Sequence, residues 1–251
     1  MQFLQALSPG RREIIVLTGA GGKTSAMFAM AKEAVKEGRK VILAITTKIY
    51  EPEGWNVLLA DEPEILCRRI NSILADDVAV VVGEKRLPGF PPKLTGLDTD
   101  LFASLASTSA DLIIVEADGS AGLPFKAPAE HEPVIPPGTT LVMPVVGIDC
   151  IGLPLNPANV HRPRLVAQIA GADLESRVTA KTVAAVLTST DGYRKNVPPQ
   201  ARWIPFINKV QTAPQMAAAL DIAREITAKI PSSVLIGAAM QKDPVREVVG
   251  P

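Results

Sequence analysis

Residues 14–25 read Ile14-Ile-Val-Leu-Thr-Gly-Ala-Gly-Gly-Lys-Thr-Ser25, and the character of the chain changes halfway along that stretch. Residues 14–17 are four apolar residues in a row, the pattern of a short buried strand. The strand stops at Thr18-Gly19, and a helix-forming run begins after Gly22. Between them lies Gly19-Ala20-Gly21-Gly22-Lys23-Thr24, a G-x-x-G-K-T loop. A phosphate needs several N–H donors converging on a small volume, and glycines let the backbone come close with positive φ. The following helix adds its unpaired N–H groups and the positive end of its dipole, from Thr24 and Ser25 onward. Lys23 is expected to reach the β- and γ-phosphates, and the Thr24 hydroxyl to ligate Mg²⁺. The commonest such loop, G-x-x-x-x-G-K-[ST], would need a glycine where Leu17 stands, so this one is two residues tighter. The expected ligand is a nucleoside triphosphate, ATP or GTP, with Mg²⁺.

Outward from the loop, strands and helices alternate. Met27, Met30, Ala31, Ala34 and Val35 recur at helical spacing over 25–37, and Gly38 is placed to end that helix. Residues 41–45 form a second apolar run. Strand, helix, strand implies a parallel pair with a right-handed crossover. Strand ends in such a sheet face one crevice, so Thr46, Thr47 and Lys48 are candidates for the phosphate and Mg²⁺ neighbourhood. An ordinary strand end with an exposed lysine is the alternative. Further strands are expected at 56–59, 78–82, 112–115, 140–146, 203–207 and 233–236. Helices are expected at 62–74, 98–107, 164–170, 178–187 and 214–230. The expected fold is α/β and P-loop NTPase-like, a mostly parallel central sheet with helices on both faces. It forms a single domain, 1–251, divisible into a nucleotide-binding core (1–150) and a C-terminal portion (151–251). The proline-broken segment 83–96, with Lys85, Arg86 and Lys93, is either a mobile substrate loop or a solvated turn.

Composition bounds the function. Lys plus Arg equal Asp plus Glu at 26 each, with no long basic run. That argues against nucleic acid or an anionic membrane as the main partner. Cys67 and Cys150 are far apart without metal-type spacing, as expected of buried thiols in a reducing compartment. Residues 1–10 have neither the basic start nor the apolar core of a signal peptide, and no run of 18 apolar residues occurs. The expectation is a cytoplasmic protein.

A second signal is Asp111-Leu-Ile-Ile-Val-Glu-Ala-Asp-Gly-Ser-Ala-Gly122. A central strand here delivers Glu116 and Asp118, on the same side because strand side chains alternate. Either acid could hold Mg²⁺, and two could divide metal ligation from orienting a nucleophile. Downstream, Gly122-Leu-Pro-Phe-Lys-Ala-Pro-Ala-Glu-His-Glu-Pro133 is poor material for a core element. Residues 120–133 are therefore expected to wall the second substrate, with Ser120, Lys126, Glu130 and His131 as contacts. His131 could serve as base or metal ligand, or be an exposed loop histidine. The other histidine stands in Val160-His-Arg-Pro163, which adds His161 and Arg162 as substrate candidates. Last comes Asn208-Lys-Val-Gln211. GTPases read guanine with N-K-x-D. Asn208 and Lys209 could line a base pocket, but Gln211 replaces the aspartate that accepts two hydrogen bonds from guanine.

Taken together, several stretches resemble the YqeC family of accessory proteins of selenium-dependent molybdenum hydroxylases. They are Gly19-Ala-Gly-Gly-Lys-Thr-Ser25, Thr46-Thr-Lys48, Lys93-Leu-Thr-Gly-Leu97 and Val115-Glu-Ala-Asp-Gly-Ser-Ala-Gly122. Lys126-Ala-Pro-Ala-Glu-His-Glu-Pro133, Val146-Gly-Ile-Asp149, His161-Arg-Pro163 and Asn208-Lys-Val210 belong with them. The departure is Gln211, where the resemblance implies Asp. The resemblance implies a role in making or inserting a selenium-containing cofactor. Its substrate would be a small molecule or cofactor, and its partners a molybdenum hydroxylase or its maturation proteins. A weaker analogy is to Mur-type amide ligases, which also use a short G-x-x-G-K-[ST] loop and a strand-end glutamate on Mg²⁺. It favours Glu116 over Asp118 as the direct ligand. The leading expectation is Mg²⁺-dependent transfer or hydrolysis of the γ-phosphoryl group, with Lys23, Glu116 and Asp118 catalytic. The alternatives are a nucleotide-gated chaperone or carrier, a Mur-like ligase, and a binder of a phosphorylated cofactor.

Overall fold

A computed structural model describes residues 1–250. In chain order it runs α1 (Phe3–Leu7), β1 (Glu13–Gly19), α2 (Lys23–Lys36), β2 (Val41–Ile45), β3 (Ile49–Tyr50), β4 (Val57–Leu59), α3 (Pro63–Asp76) and β5 (Ala79–Gly83). Then follow β6 (Arg86–Leu87), β7 (Lys93–Leu94), α4 (Thr99–Leu105), β8 (Leu112–Glu116), β9 (Phe125–Lys126) and β10 (Leu141–Gly147). The remainder is β11 (Val160–His161), α5 (Pro163–Ala170), α6 (Ala180–Thr188), β12 (Arg202–Trp203), β13 (Phe206–Asn208), α7 (Ala213–Thr227), β14 (Val234–Gly237) and β15 (Val245–Val249).

One large sheet has the order β15-β14-β13-β10-β1-β8-β2-β5-β4, with β12 added beside β10. All its pairs are parallel except β14 with β15. The α/β architecture with helices on both faces is as expected from the alternation. Side chains alternate along each strand. Ile15 and Leu17 face α2 through Met27, Met30 and Ala34, and α1 lies on the same side. Val16, Ile42 and Ala44 face the opposite way, against Leu66 and Ile70 of α3 and Phe102 of α4. On that second face the other half of the sheet, including Val142 and Ile207, is covered by α5, α6 and α7.

The expected strand 203–207 is broken at Pro205, which has no N–H to give. The interruption absorbs a second proline. Val142 of β10 accepts from Ile204 N–H, so Pro144, two residues on, turns its missing donor toward the same gap. Three features had no signal strong enough to be read. They are α1, the antiparallel edge strand β15, and a parallel pair formed by β9 and β11. Segment 83–96 is an ordered structure, since β6, β7 and β3 make a small antiparallel sheet. Cys150 is buried as expected, whereas Cys67 is only half-buried, and both are free. Among the described residues no helix is long and apolar enough to cross a membrane.

Candidate functional site

The carboxyl ends of β1, β8, β2 and β13 open onto one crevice. Gly19, Gly21 and Gly22 take φ of +90°, +79° and +118°, so the turn from β1 into α2 is left-handed at three positions. Packing reinforces the requirement. A Cβ on Gly21 would lie 2.2 Å from the Gly147 nitrogen, and one on Gly19 would lie 2.3 Å from the Val145 carbonyl oxygen. Both contacts are with backbone of β10, which cannot give way.

Lys23 opens α2 and is 2% exposed. Its ammonium donates to the Gly19 carbonyl at 2.6 Å and stands 3.3 Å from Asp118 Oδ1 and 3.7 Å from Glu116 Oε1. The Thr24 hydroxyl donates to Glu116 Oε2 at 2.7 Å. Glu116 is the last residue of β8, level with Leu17 of β1 on one side and Ile45 of β2 on the other. Burial pushes its carboxyl above the usual range, against the Lys23 charge and the Thr24 hydrogen bond that favour the ionised form.

A cleft of about 830 Å³ runs over this loop. Gly21, Gly22, Lys23, Thr24 and Ser25 form its floor, and Glu116 with Ser120 one side. Thr47 and Lys48 stand on another side, with Lys209 at the rim. Sequence reasoning missed Ile49 and Tyr50, and Lys93 it left in a loop; β3 and β7 bring all three to the cleft. Gly19 and Ala20 lie beneath the floor. Thr46 stands behind it, with its amide on the Glu116 carbonyl at 3.0 Å.

Several expected site residues lie outside the cleft. Asn208 does not line a base pocket: it is 3% exposed, its amide nitrogen donates to the Gly21 carbonyl at 2.8 Å, and its amide oxygen accepts from Ala239 N–H at 2.9 Å. It clamps the loop to β13 and β14. Lys209 is at the cleft but is tied to Asp149 at 2.6 Å. Asp118 is buried. Its Oδ2 accepts from Gly19 N–H at 3.1 Å and Tyr193 hydroxyl at 3.3 Å, with Lys126 Nζ at 2.9 Å, so it anchors the loop from behind.

Lys126 is the largest departure. Far from walling a substrate, it is 0% exposed in β9, with Nζ at 2.7 Å from both the Gly119 carbonyl and Glu132 Oε2. Arg162, in the left-handed region at φ +60°, closes the far side with 2.5 and 3.3 Å bonds to Glu132. Burial pushes the Glu132 carboxyl up, but the bonds from Arg162 and Lys126 outweigh it and hold it at about 2. His161 is drawn toward this network by the β9–β11 pairing. Burial and the neighbouring Arg162 and Lys126 charges keep its imidazole below the ordinary value. Glu130 and His131, also expected at the substrate, are exposed outside the cleft. Tyr193 was invisible in the sequence, because a turn tyrosine 75 residues from Asp118 carries no local signal.

Among the described residues no cluster of three or more His, Cys, Asp or Glu forms a closed metal cage. The donors present, one hydroxyl and one carboxylate at an open cleft, suit Mg²⁺, which keeps several waters and takes its other ligands from phosphates.

Comparison with known proteins agrees with the motifs. A family model described as "YqeC protein" matches residues 15–164. The chain is also similar to a protein of Escherichia coli (strain K12) named "Uncharacterized protein YqeC". The two are 32% identical over 205 residues, covering 79% of this chain and 77% of that one. The matched span holds the glycine loop, Glu116, Asp118, Lys126, Glu132 and Arg162, and the chain belongs to the YqeC family.

Proposed function

We propose that the cleft binds a nucleoside triphosphate with Mg²⁺ and transfers or hydrolyses its γ-phosphoryl group. One observation carries this: a loop in which crowding forbids a Cβ at Gly19, Gly21 and Gly22 leads into a helix whose first two residues are Lys23 and Thr24, with Thr24 on the strand-end Glu116 at 2.7 Å. The amides of residues 22–25, at the N-terminus of α2, offer donors to phosphate oxygens, whereas those of Gly19, Ala20 and Gly21 are bonded to Asp118, Val145 and Leu123. Lys23 adds a positive charge where negative charge is greatest. The Thr24 hydroxyl and the Glu116 carboxylate would hold Mg²⁺, which when bound neutralises triphosphate charge and polarises the transferring group. Asp118 then serves as the counter-charge that fixes Lys23 and the Gly19 amide. ATP is the favoured nucleotide, because Gln211 removes the acceptor that guanine needs and the Asn208 amide is held by the loop.

Such chemistry would serve maturation of a selenium-dependent molybdenum hydroxylase or its cofactor, as the sequence resemblance implies. A nucleotide-gated carrier is the second reading. It is favoured by the small β3–β7–β6 sheet, whose β6–β7 connection carries the fully exposed Phe90.

A thermal-shift titration with ATP, GTP and CTP, with and without Mg²⁺, tests the proposal. Binding at a hundredfold excess over Kd stabilises the folded state by about 2.7 kcal/mol. The expected result is a Mg²⁺-dependent shift with ATP that disappears in Lys23→Met. Equal shifts in wild type and Lys23→Met, or no shift with any triphosphate, would overturn it.

A further inference from the structure

The cleft holds more positive charge than its phosphate loop supplies. Lys48 and Lys93 reach it from the facing wall, one just after β2 and the other from β7. Among the described residues neither pairs with a carboxylate, whereas Lys23 faces Glu116 and Asp118 and Lys209 is held by Asp149. Lys93 Nζ lies 4.6 Å from the centre of the Tyr50 ring, which steers it without neutralising it. The wall is firmly built. A Cβ on Gly96 would lie 2.2 Å from the Thr46 carbonyl carbon, and Leu97 N–H donates to the Ile45 carbonyl at 2.8 Å. Residues 46–48 and 93–97 thus pack backbone against backbone. Thr47 and Ser120 bring hydroxyls to the same space.

The second observation is the set of groups able to take a proton. Among the described lining residues Glu116 is the one carboxylate, and there is no histidine. Glu116 is engaged by Thr24 and Lys23, and Asp118 lies behind with Lys126 and Tyr193. An alcohol or amine acceptor sheds a proton to a base as it attacks phosphorus. A carboxylate or phosphate oxygen is already ionised at neutral pH and needs none.

We infer that, given nucleotide binding at the loop, the wall of Thr47, Lys48, Lys93 and Ser120 holds a second, anionic small-molecule substrate. Its carboxylate or phosphate oxygen receives the γ-phosphoryl group. An oxygen lone pair of that substrate forms the new P–O bond. The bond from the γ-phosphorus to the bridging oxygen breaks, and its electron pair leaves with the nucleoside diphosphate. The product is an acyl phosphate or a phosphoanhydride, and no proton changes hands.

The test is calorimetric titration of citrate, and separately of inorganic pyrophosphate, into protein saturated with a non-hydrolysable ATP analogue and Mg²⁺. The double variant Lys48→Ala/Lys93→Ala removes two exposed side chains and leaves the loop untouched. At least one anion should bind the wild-type complex and bind the double variant at least tenfold more weakly, with affinity for the analogue changed less than twofold. Binding of citrate alone marks a carboxylate substrate, and of pyrophosphate alone a phosphate. The inference is overturned if neither anion binds, if binding is indifferent to the two lysines, or if the analogue itself weakens tenfold. If the analogue fails to bind wild type, nucleotide binding fails separately. Titration into the nucleotide-free protein then decides the wall: loss in Lys48→Ala/Lys93→Ala but not in Lys23→Met supports it, and the reverse overturns it.

Discussion

Two stretches of this chain are comparably dense in glycine, proline and charge, and they meet opposite fates. Residues 21–25 line an open cleft, with Lys23 held between Glu116 and Asp118 at its floor. Residues 125–133 look like a solvated loop but run inward, carrying Lys126 into full burial between Asp118, Glu132 and a backbone carbonyl. A glycine turn between strand and helix is legible from consecutive residues. The fate of a lysine is set by what the chain brings to it from elsewhere. Asp118 is eight residues back, and Arg162 arrives on a separate segment 36 residues on. The inner network supports the outer site, since Asp118 touches both the Gly19 amide and Lys126.

If the inner stretch is structural and the outer one functional, substitutions should separate them. The largest effect is expected from Lys126→Met, which leaves Asp118 and Glu132 facing each other's charge in a buried space. Removing one partner of a buried pair costs about 3–5 kcal/mol, so urea unfolding should move to much lower denaturant. A variant as stable as wild type would make the network ornamental. Lys23 is itself nearly buried between two carboxylates, so Lys23→Met should lower stability as well as abolish the nucleotide shift. A loss of binding with no loss of stability would show that its charge already faces the ligand.

Next in size is a pH effect. The Glu132 carboxyl takes up its proton near 4.5 in the unfolded chain and at about 2 in the folded one. Its contribution is therefore full above pH 4.5 and is lost as pH falls toward 2, a difference of about 3 kcal/mol. Arg162→Ala should flatten that limb of the stability curve, measured by denaturant midpoints across the range. The smallest effect is expected at His131, exposed and outside the cleft. His131→Ala should change stability by less than about 0.5 kcal/mol and leave nucleotide binding as it is. A large loss of binding there would move the substrate wall back to residues 120–133.

By itself the sequence determined the alternation of strands and helices, the loop at 19–24, and the delivery of Glu116 to its end. It could do so because hydrophobic period, glycine and the order Lys-Thr act over a few residues. It also made residues 46–48 candidates, since parallel strands end at a common edge. Only the tertiary structure decided that Asn208 clamps a glycine rather than facing a base, and that Tyr193 and Arg162 close a buried ion network. It also decided that β7 carries Lys93 to the cleft. Those outcomes depend on pairings between segments tens to hundreds of residues apart, such as Asn208 with Gly21 across 187 positions. Burial and charge neutralisation there are properties of the assembled neighbourhood and not of any one stretch of chain.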